Sequence, residues 1–226
     1  MLIRPRRLPI VFGNTSLELA TIKYQNKFEI RPPIKRGDFD LLIKEQKAGC
    51  VLITDGIFGQ ELSVSPVECL RMLRAGWIVL GSSSMGALRA ADCCNGGMIG
   101  VGDIYMGYKL GYFKSDADVA VLYSGVDGSE VTMSYVHADY VGRVIARSHQ
   151  LSTKNHRVFM SALRKIPWYS RSKNALALQF SYAHYESSLA RVFMDLSECA
   201  DFHPKKLDAL LACDYLWSFY QKKVHL

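Results

Sequence analysis

Residues 77–91 have the sequence WIVLGSSSMGALRAA, in which an apolar run is followed by three serines and a helix-forming segment. The apolar run 77–80 is typical of a buried strand, and the alanines and leucine of residues 85–94 favour a helix. The serines therefore occupy a tight turn from a strand into a helix. The first amides of such a helix have no partner within it, so they point towards whatever approaches the turn.

Two interpretations of this turn remain open. Small residues at Ser82 and Gly86 allow a sharp bend that could lift Ser84 into a cleft beside oxyanion donors, as in a nucleophile elbow. Alternatively, Ser83 or Ser84 caps the helix, which serine does well. Ser82 also stands where a G-x-S-x-G motif centred on Ser84 would have its first glycine.

The rest of the first half predicts an α/β fold. Strands are predicted at 8–12, 28–30, 50–54, 77–80 and 119–123, and helices at 17–24, 38–44, 65–75, 85–94 and 103–110. Strands that alternate with helices imply right-handed crossovers and a mainly parallel sheet with flanking helices. Asp38 is the predicted cap of its helix. The glycine-rich residues 96–102 are predicted to be a connector, because they follow a helix and lack the G-K-[ST] ending of a phosphate-binding loop.

Three loops are expected to meet at one edge of this sheet. Residues 13–16, 55–56 and 82–84 each follow a predicted strand. Ligands of open parallel sheets gather beyond the carboxyl ends of the strands. The sequence therefore predicts a site at this edge without defining its chemistry.

From about residue 132 the pattern changes to helices. Apolar spacing of three and four residues predicts helices at 135–148, 153–166, 174–194 and 205–222. We therefore expect an α/β core domain over residues 1–131 and a helical carboxyl-terminal region over residues 132–226.

The composition is that of a globular protein, which we expect in the cytoplasm. The 226 residues are 49% hydrophobic and 22% charged, and no apolar run is long enough to span a bilayer. The basic amino terminus lacks the apolar core of a signal peptide. The formal charge of +7 favours an acidic partner. Because no nucleic-acid-binding motif is present, we expect neither nucleic acid nor a membrane among the partners.

The cysteines and histidines do not predict a metal or cofactor site. The six cysteines include no C-x-x-C pair, and the six histidines include no H-x-x-x-H pair. In a cytoplasmic protein these cysteines are expected to be reduced core residues. Cys93 and Cys94 are of interest because they end the helix after the serine turn, and His137 because it lies on the first carboxyl-terminal helix.

Five motifs resemble those of the TfuA-like family. They are PPIKRGD at 32–38, DGIF at 55–58, GSSSMGALRAA at 81–91, GMIGVGDIY at 97–105 and DADVAV at 116–121. They occur in order within residues 11–137, and the SSMGALRAA block is specific. The helical remainder is less characteristic.

The resemblance implies an accessory role beside a YcaO enzyme, which uses ATP to activate a peptide-bond oxygen that sulfur then replaces. It also implies hydrolysis of the thiocarboxylate on a ThiS-type sulfur carrier, which delivers sulfide, and help to YcaO in holding a precursor peptide. The implied pathway is backbone thioamidation of a ribosomally made peptide. The implied chemistry is that of a serine–lysine hydrolase on an α/β fold, with no cofactor and no metal.

By position, the resemblance assigns the nucleophile to Ser84, with Ser83 as the near alternative, and the base to Lys35. A lysine accepts a proton only when it is neutral, which requires desolvation or nearby positive charge. Arg36 and Arg89 are the expected sources of that charge.

Other residues complete the expected site and mark two departures from the family. Helix amides would hold the oxyanion. Asp55 would orient the site or only form a turn with Gly56. Arg89 would either guide the carboxyl terminus of the carrier or form an ion pair on the helix surface. Val67 stands where a second family lysine is expected, and residues 14–15 replace a family Gly-Pro pair. The substrate-binding and oxyanion residues are Ser16, Arg36, Asp55, Gly56, Ser83, Met85, Gly86 and Arg89.

Two other functions remain open. The chain could be a non-catalytic adaptor that docks the carrier or the peptide onto YcaO, with Ser84 purely structural. It could instead carry sulfur as a persulfide on Cys93 or Cys94.

Overall fold

The computed structural model describes residues 8–59, 62–126, 128–148, 152–182 and 187–224. Within these ranges the strands are β1 (Ile10–Phe12), β2 (Glu29–Arg31), β3 (Cys50–Ile53), β4 (Ile78–Ser82) and β5 (Ile99–Val101). The helices are α1 (Glu18–Lys23), α2 (Asp38–Glu45), α3 (Pro66–Arg74), α4 (Met85–Cys93), α5 (Asp103–Lys109), α6 (Tyr135–Ser148), α7 (Thr153–Arg164), α8 (Lys173–Tyr182), α9 (Ser187–Glu198) and α10 (Pro204–Val224). None of the helices in these ranges combines the length and apolarity that crossing a bilayer requires.

The strands form a parallel sheet in the order β2-β1-β3-β4-β5. β3 lies at the centre, and its residues Val51, Leu52 and Ile53 are completely buried. A parallel strand covered on both faces has a continuous apolar sequence rather than an alternating one, which is why the apolar runs located these strands. The predicted fold class, a mainly parallel sheet with flanking helices followed by a helical region, is confirmed.

The chain forms two compact units. The first contains residues 1–112 and 208–226, and so includes the sheet and α1 to α5. The second contains residues 113–207 and includes α6 to α9, and α10 begins in it. The domain boundary near residue 131 stays a prediction.

In the first unit, the carboxyl-terminal part of α10 packs against side chains of the sheet. Burying a leucine side chain in such a core contributes about 2 kcal/mol, so this helix is a substantial part of the unit's stability. The buried cluster contains Val11, Leu17, Ala20, Phe28, Leu52, Leu80, Ala209, Ala212, Cys213 and Leu216.

The second unit has an apolar core of its own. The rings of Phe159 and Phe193, from α7 and α9, meet edge to face with their centroids 5.5 Å apart. Both side chains are completely buried, as are Leu163 and Leu176. The apolar spacing that predicted these helices thus marks the faces that pack together.

One strand was missed and another was wrongly predicted. Residues 99–101, expected within a glycine-rich connector, form β5 because Gly100 lets the strand pass the Tyr105 ring, which a Cβ there would meet. Residues 119–123 form no strand, and Tyr123 makes an isolated bridge to Glu130. The N–H of Leu122 donates to the Thr132 hydroxyl, at 2.8 Å, instead of to a neighbouring strand.

The predicted cap of one helix was wrong. Gly37, at a φ of 90°, is the N-cap of α2, and Asp38 is the first helical residue. The Asp38 carboxylate accepts the N–H of Lys35 at 2.8 Å rather than an amide of the helix. The helix predicted at 174–194 is described as α8 and α9, and residues 183–186 between them lie outside the described residues.

Candidate active site

The turn between β4 and α4 is a sharp corner. Ser83 has a φ of +67°, a left-handed conformation that costs residues other than glycine about 1–2 kcal/mol. Gly81 and Gly86 let the corner close, because a Cβ on Gly81 would collide with the carbonyl group of Gly86 and one on Gly86 with that of Ile53. A strained turn from a strand into a helix is the geometry of a nucleophile elbow.

The three serines of the corner have different surroundings. Ser82 Oγ lies 2.7 Å from the carbonyl oxygen of Val101 and 3.0 Å from that of Asp208. Ser83 is completely buried, and its hydroxyl has no hydrogen-bond partner among the described residues. Ser84 is the N-cap residue and is partly exposed, but its side chain makes no capping bond. Ser84 therefore occupies the cap position, but neither its hydroxyl nor that of Ser83 makes a capping hydrogen bond, and Ser84 is the accessible hydroxyl.

The amides after the corner differ in their availability. Thr54 O accepts the N–H of Ser84 at 3.1 Å and the N–H of Gly86 at 3.3 Å. The N–H of Met85 has no acceptor among the described residues. The Met85 N–H is therefore available as an oxyanion donor, whereas the Gly86 N–H already donates to Thr54 O. Sequence reasoning missed Thr54, although its position directly before the Asp55-Gly56 motif was a signal.

Asp55 holds two of the loops together. Its carboxylate accepts the Ser16 hydroxyl at 2.6 Å, the Asn14 N–H at 2.8 Å and the Ser16 N–H at 3.3 Å. Asp55 and Ser16 are both buried. The structure thus brings the loop after β1 and the loop after β3 together, and the Asp55 carboxylate links them by these hydrogen bonds.

Gly56 joins the lysine-bearing segment to the serine corner. Ile34 forms a parallel bridge with Gly56. A Cβ on Gly56 would lie 2.7 Å from Met85 Cγ and 3.1 Å from Ile34 Cγ2. The residue before Lys35 and the residue after Ser84 therefore pack on the same glycine.

The Lys35 side chain is exposed. Among the described residues, no hydrogen bond joins Lys35 Nζ to Ser84 Oγ. The structure therefore places the segment of Lys35 at the site, but it does not form the serine–lysine contact.

Glu68 anchors the loop that carries Lys35. Its carboxylate accepts the N–H of Gly37 at 2.6 Å and the N–H of Ser65 at 2.8 Å. Burial acts to raise the pKa of Glu68, but these two N–H groups, the Ser65 hydroxyl and Arg36 outweigh it and hold the pKa below its ordinary value. Movement of Lys35 towards the corner would therefore involve its side chain more than its backbone.

The two arginines of the predicted site make contacts with neighbouring loops. Arg89 is buried, with Nε donating to Val64 O at 2.7 Å and an NH1 nitrogen 2.7 Å from the Asp92 carboxylate. Arg36 is exposed and donates through its N–H to Leu62 O at 2.8 Å. Arg89 thus ties α4 to the loop before α3, and its role in guiding a carrier stays a prediction.

A family model described as TfuA-like protein matches residues 55–172, just over half of the chain. The chain belongs to the TfuA-like family. No curated protein matches it.

The matched region of this TfuA-like chain includes Asp55 and the corner with Ser83 and Ser84, but it begins after Ser16 and Lys35. Membership supports an accessory role in a YcaO-associated pathway, since the family is known as a partner of YcaO.

The cysteines of this TfuA-like chain are free thiols. Cys93 is buried against Cys69, whose pKa is raised by their hydrogen bond and by burial. The same hydrogen bond lowers the pKa of Cys93. Cys94 is partly exposed, so it is the accessible member of the pair for the persulfide hypothesis.

Proposed function

We propose that this chain hydrolyses the thiocarboxylated carboxyl terminus of a ThiS-type sulfur carrier, and that the released sulfide serves YcaO in thioamidating a precursor peptide. One observation carries the proposal. At the corner, Ser84 Oγ is partly exposed and has no hydrogen-bond partner among the described residues. The N–H of the next residue, Met85, has no acceptor among those residues either. A nucleophile beside an oxyanion donor is the minimal equipment for acyl transfer.

The reaction follows from these groups. Neutral Lys35 removes the proton of Ser84 Oγ as this oxygen attacks the thiocarboxylate carbon. The Met85 N–H stabilises the negative charge that develops on the carbonyl oxygen. The carbon–sulfur bond breaks, the proton on Lys35 passes to the sulfur, and hydrosulfide leaves. Water then hydrolyses the ester, which frees Ser84 and leaves a carboxylate on the carrier.

The action of Lys35 as the base depends on the docked carrier. Lys35 is exposed in the chain alone, and its flexible side chain starts from a loop that packs beside the corner. A carrier lying over this loop would exclude water, which disfavours the charged form of a lysine.

A non-catalytic adaptor is the second candidate. The exposure of Lys35, and Val67 at the other expected lysine position, favour this alternative. An adaptor would dock the carrier or the precursor peptide onto YcaO, and Ser84 would have no chemical role.

Reconstituted thioamidation separates the two candidates. The assay combines YcaO, ATP, precursor peptide and thiocarboxylated carrier with the wild type or with Ser84→Ala, and mass spectrometry measures the thioamide. We expect Ser84→Ala to fail with the carrier as sulfur source and to recover when inorganic sulfide is added. Equal activity of Ser84→Ala and wild type with the carrier would favour the adaptor.

Matched variants control for indirect effects. Ser63→Ala changes another partly exposed serine of the first unit, and Lys44→Ala changes an exposed lysine on α2. Both are expected to behave as wild type, whereas Lys35→Ala should lose carrier-dependent activity and keep sulfide-dependent activity.

A further inference from the structure

Three residues of the second unit converge on one point. Glu130 is the bridge partner of Tyr123, His137 lies in the first turn of α6, and His203 lies directly before α10. One potential ligand atom from each side chain lies within 4.8 Å of the other two. We call this set the two-histidine cluster.

The cluster contains buried nitrogen atoms without partners. His137 is 3% exposed, and its Nε2 has no hydrogen-bond partner among the described residues. His203 is 9% exposed, and its Nδ1 likewise has none in those ranges. Buried polar atoms are nearly always satisfied by protein, water or an ion, so His137 Nε2, which lies within the cluster, points to a ligand.

We propose that the two-histidine cluster binds a divalent zinc ion. Two imidazoles and one carboxylate are a known ligand set for zinc, which leaves its fourth position for water. Ligands at about 2.1 Å in a tetrahedron lie roughly 3.4 Å apart. The observed separations are close enough for small side-chain rotations to reach this value.

Glu130 has one oxygen for the ion and one for a neighbour. Its Oε2 lies 3.5 Å from His203 Nε2, and its Oε1 lies 3.4 Å from Lys205 Nζ. Lys205 is completely buried. A partner that holds the second oxygen of a ligating carboxylate is what a zinc site requires around its ligands.

The arrangement suggests a role in holding the second unit together. The three ligands come from segments that are distant in sequence but share one buried point. An ion there would link the turn of Glu130 to the first turn of α6 and to the start of α10. The inference is independent of hydrolysis at Ser84.

The test measures zinc binding by the full chain. Protein freed of metal by a chelator is titrated with zinc chloride in a calorimeter and compared with Glu130→Gln and His137→Gln. The control is His156→Gln, a buried histidine of the same unit that contacts Asp139 instead. We expect one zinc per wild-type chain and per control chain, and at least a tenfold loss of affinity in both cluster variants.

Two further measurements, of cobalt absorption and of Tm, can refute the proposal. Because the chain has free cysteines, cobalt is substituted for zinc, and a thiolate-to-cobalt absorption band would place the metal on sulfur and overturn the proposal. Excess zinc should raise the Tm of the wild type by roughly 5 °C, and a folded Glu130→Gln protein should lack this rise. No binding by folded wild-type protein, or binding that both cluster variants retain, would also overturn it.

Discussion

Replacing Ser83 by glycine should stabilise the protein and leave hydrolysis intact. Two features make Ser83 unfavourable in the folded chain. Its φ of +67° is strained, and its buried hydroxyl has no partner among the described residues. Glycine removes both, since it adopts positive φ without a steric cost.

The magnitude follows from these two terms. The left-handed conformation costs about 1–2 kcal/mol, and an unpaired buried hydroxyl about 1–3 kcal/mol. Glycine loses about 0.5–1 kcal/mol through the greater freedom of the unfolded chain, and the lost side-chain atoms leave a small void. We therefore expect the free energy of unfolding to rise by about 1–4 kcal/mol. Ser83→Ala keeps the strain and should gain less.

Urea unfolding followed by tryptophan fluorescence measures this gain, and sulfide release from thiocarboxylated carrier measures activity. A glycine variant less stable than wild type would refute the strain argument. A stable glycine variant without activity would show that Ser83 is the nucleophile instead of Ser84.

Three other predictions test the surroundings of the corner. Gly86→Ala should lower the free energy of unfolding by at least about 3 kcal/mol, because its Cβ would collide with the Ile53 backbone; a near-normal urea midpoint would contradict this. Asp55→Ala should cost about 3 kcal/mol, because it leaves the Ser16 hydroxyl and two N–H groups unpaired; a loss below about 1 kcal/mol would show that Asp55 does not hold the loops. Burial raises the pKa of Asp208 from 3.8 to about 7, although two backbone N–H donors act to lower it. The raised pKa means that the folded protein favours the protonated carboxyl, so the stability that this group contributes is complete below pH 3.8 and is lost as the pH rises through about 7. The free energy of unfolding should therefore fall across this range by up to roughly 4 kcal/mol relative to Asp208→Asn, and parallel pH profiles of the two proteins would contradict the assignment.

The sequence predicted the sheet well where the strands are buried on both faces. Val51 to Ile53 and the run before the serines are continuous apolar segments, which parallel strands require. The missed strand β5 contains Gly100, and its place beside β4 depends on close packing with Tyr105 that no local pattern reveals. In the strand wrongly predicted at 119–123, Val119, Ala120 and Val121 are apolar because they are buried, although they belong to no strand.

The candidate site was predictable in its position and less so in its detail. The rule that loops meet at the carboxyl edge of a parallel sheet placed the loop of Ser16 beside Asp55. The backbone strain at Ser83 and the engagement of the Gly86 amide by Thr54 depend on tertiary geometry. The two-histidine cluster was missed because Glu130 and His203 are far apart in sequence, so no ligand spacing could signal it.

The proposed hydrolysis is tested most directly by the mass of the carrier. Thiocarboxylated ThiS-type carrier is incubated with the purified chain, without YcaO, and its intact mass is followed beside Ser84→Ala and Ser63→Ala. We expect wild type and Ser63→Ala to convert the thiocarboxylate to a carboxylate, with one sulfide released for each carrier, and Ser84→Ala to leave it unchanged. Conversion by Ser84→Ala at the wild-type rate, or no conversion by wild-type protein that binds the carrier, would contradict the account.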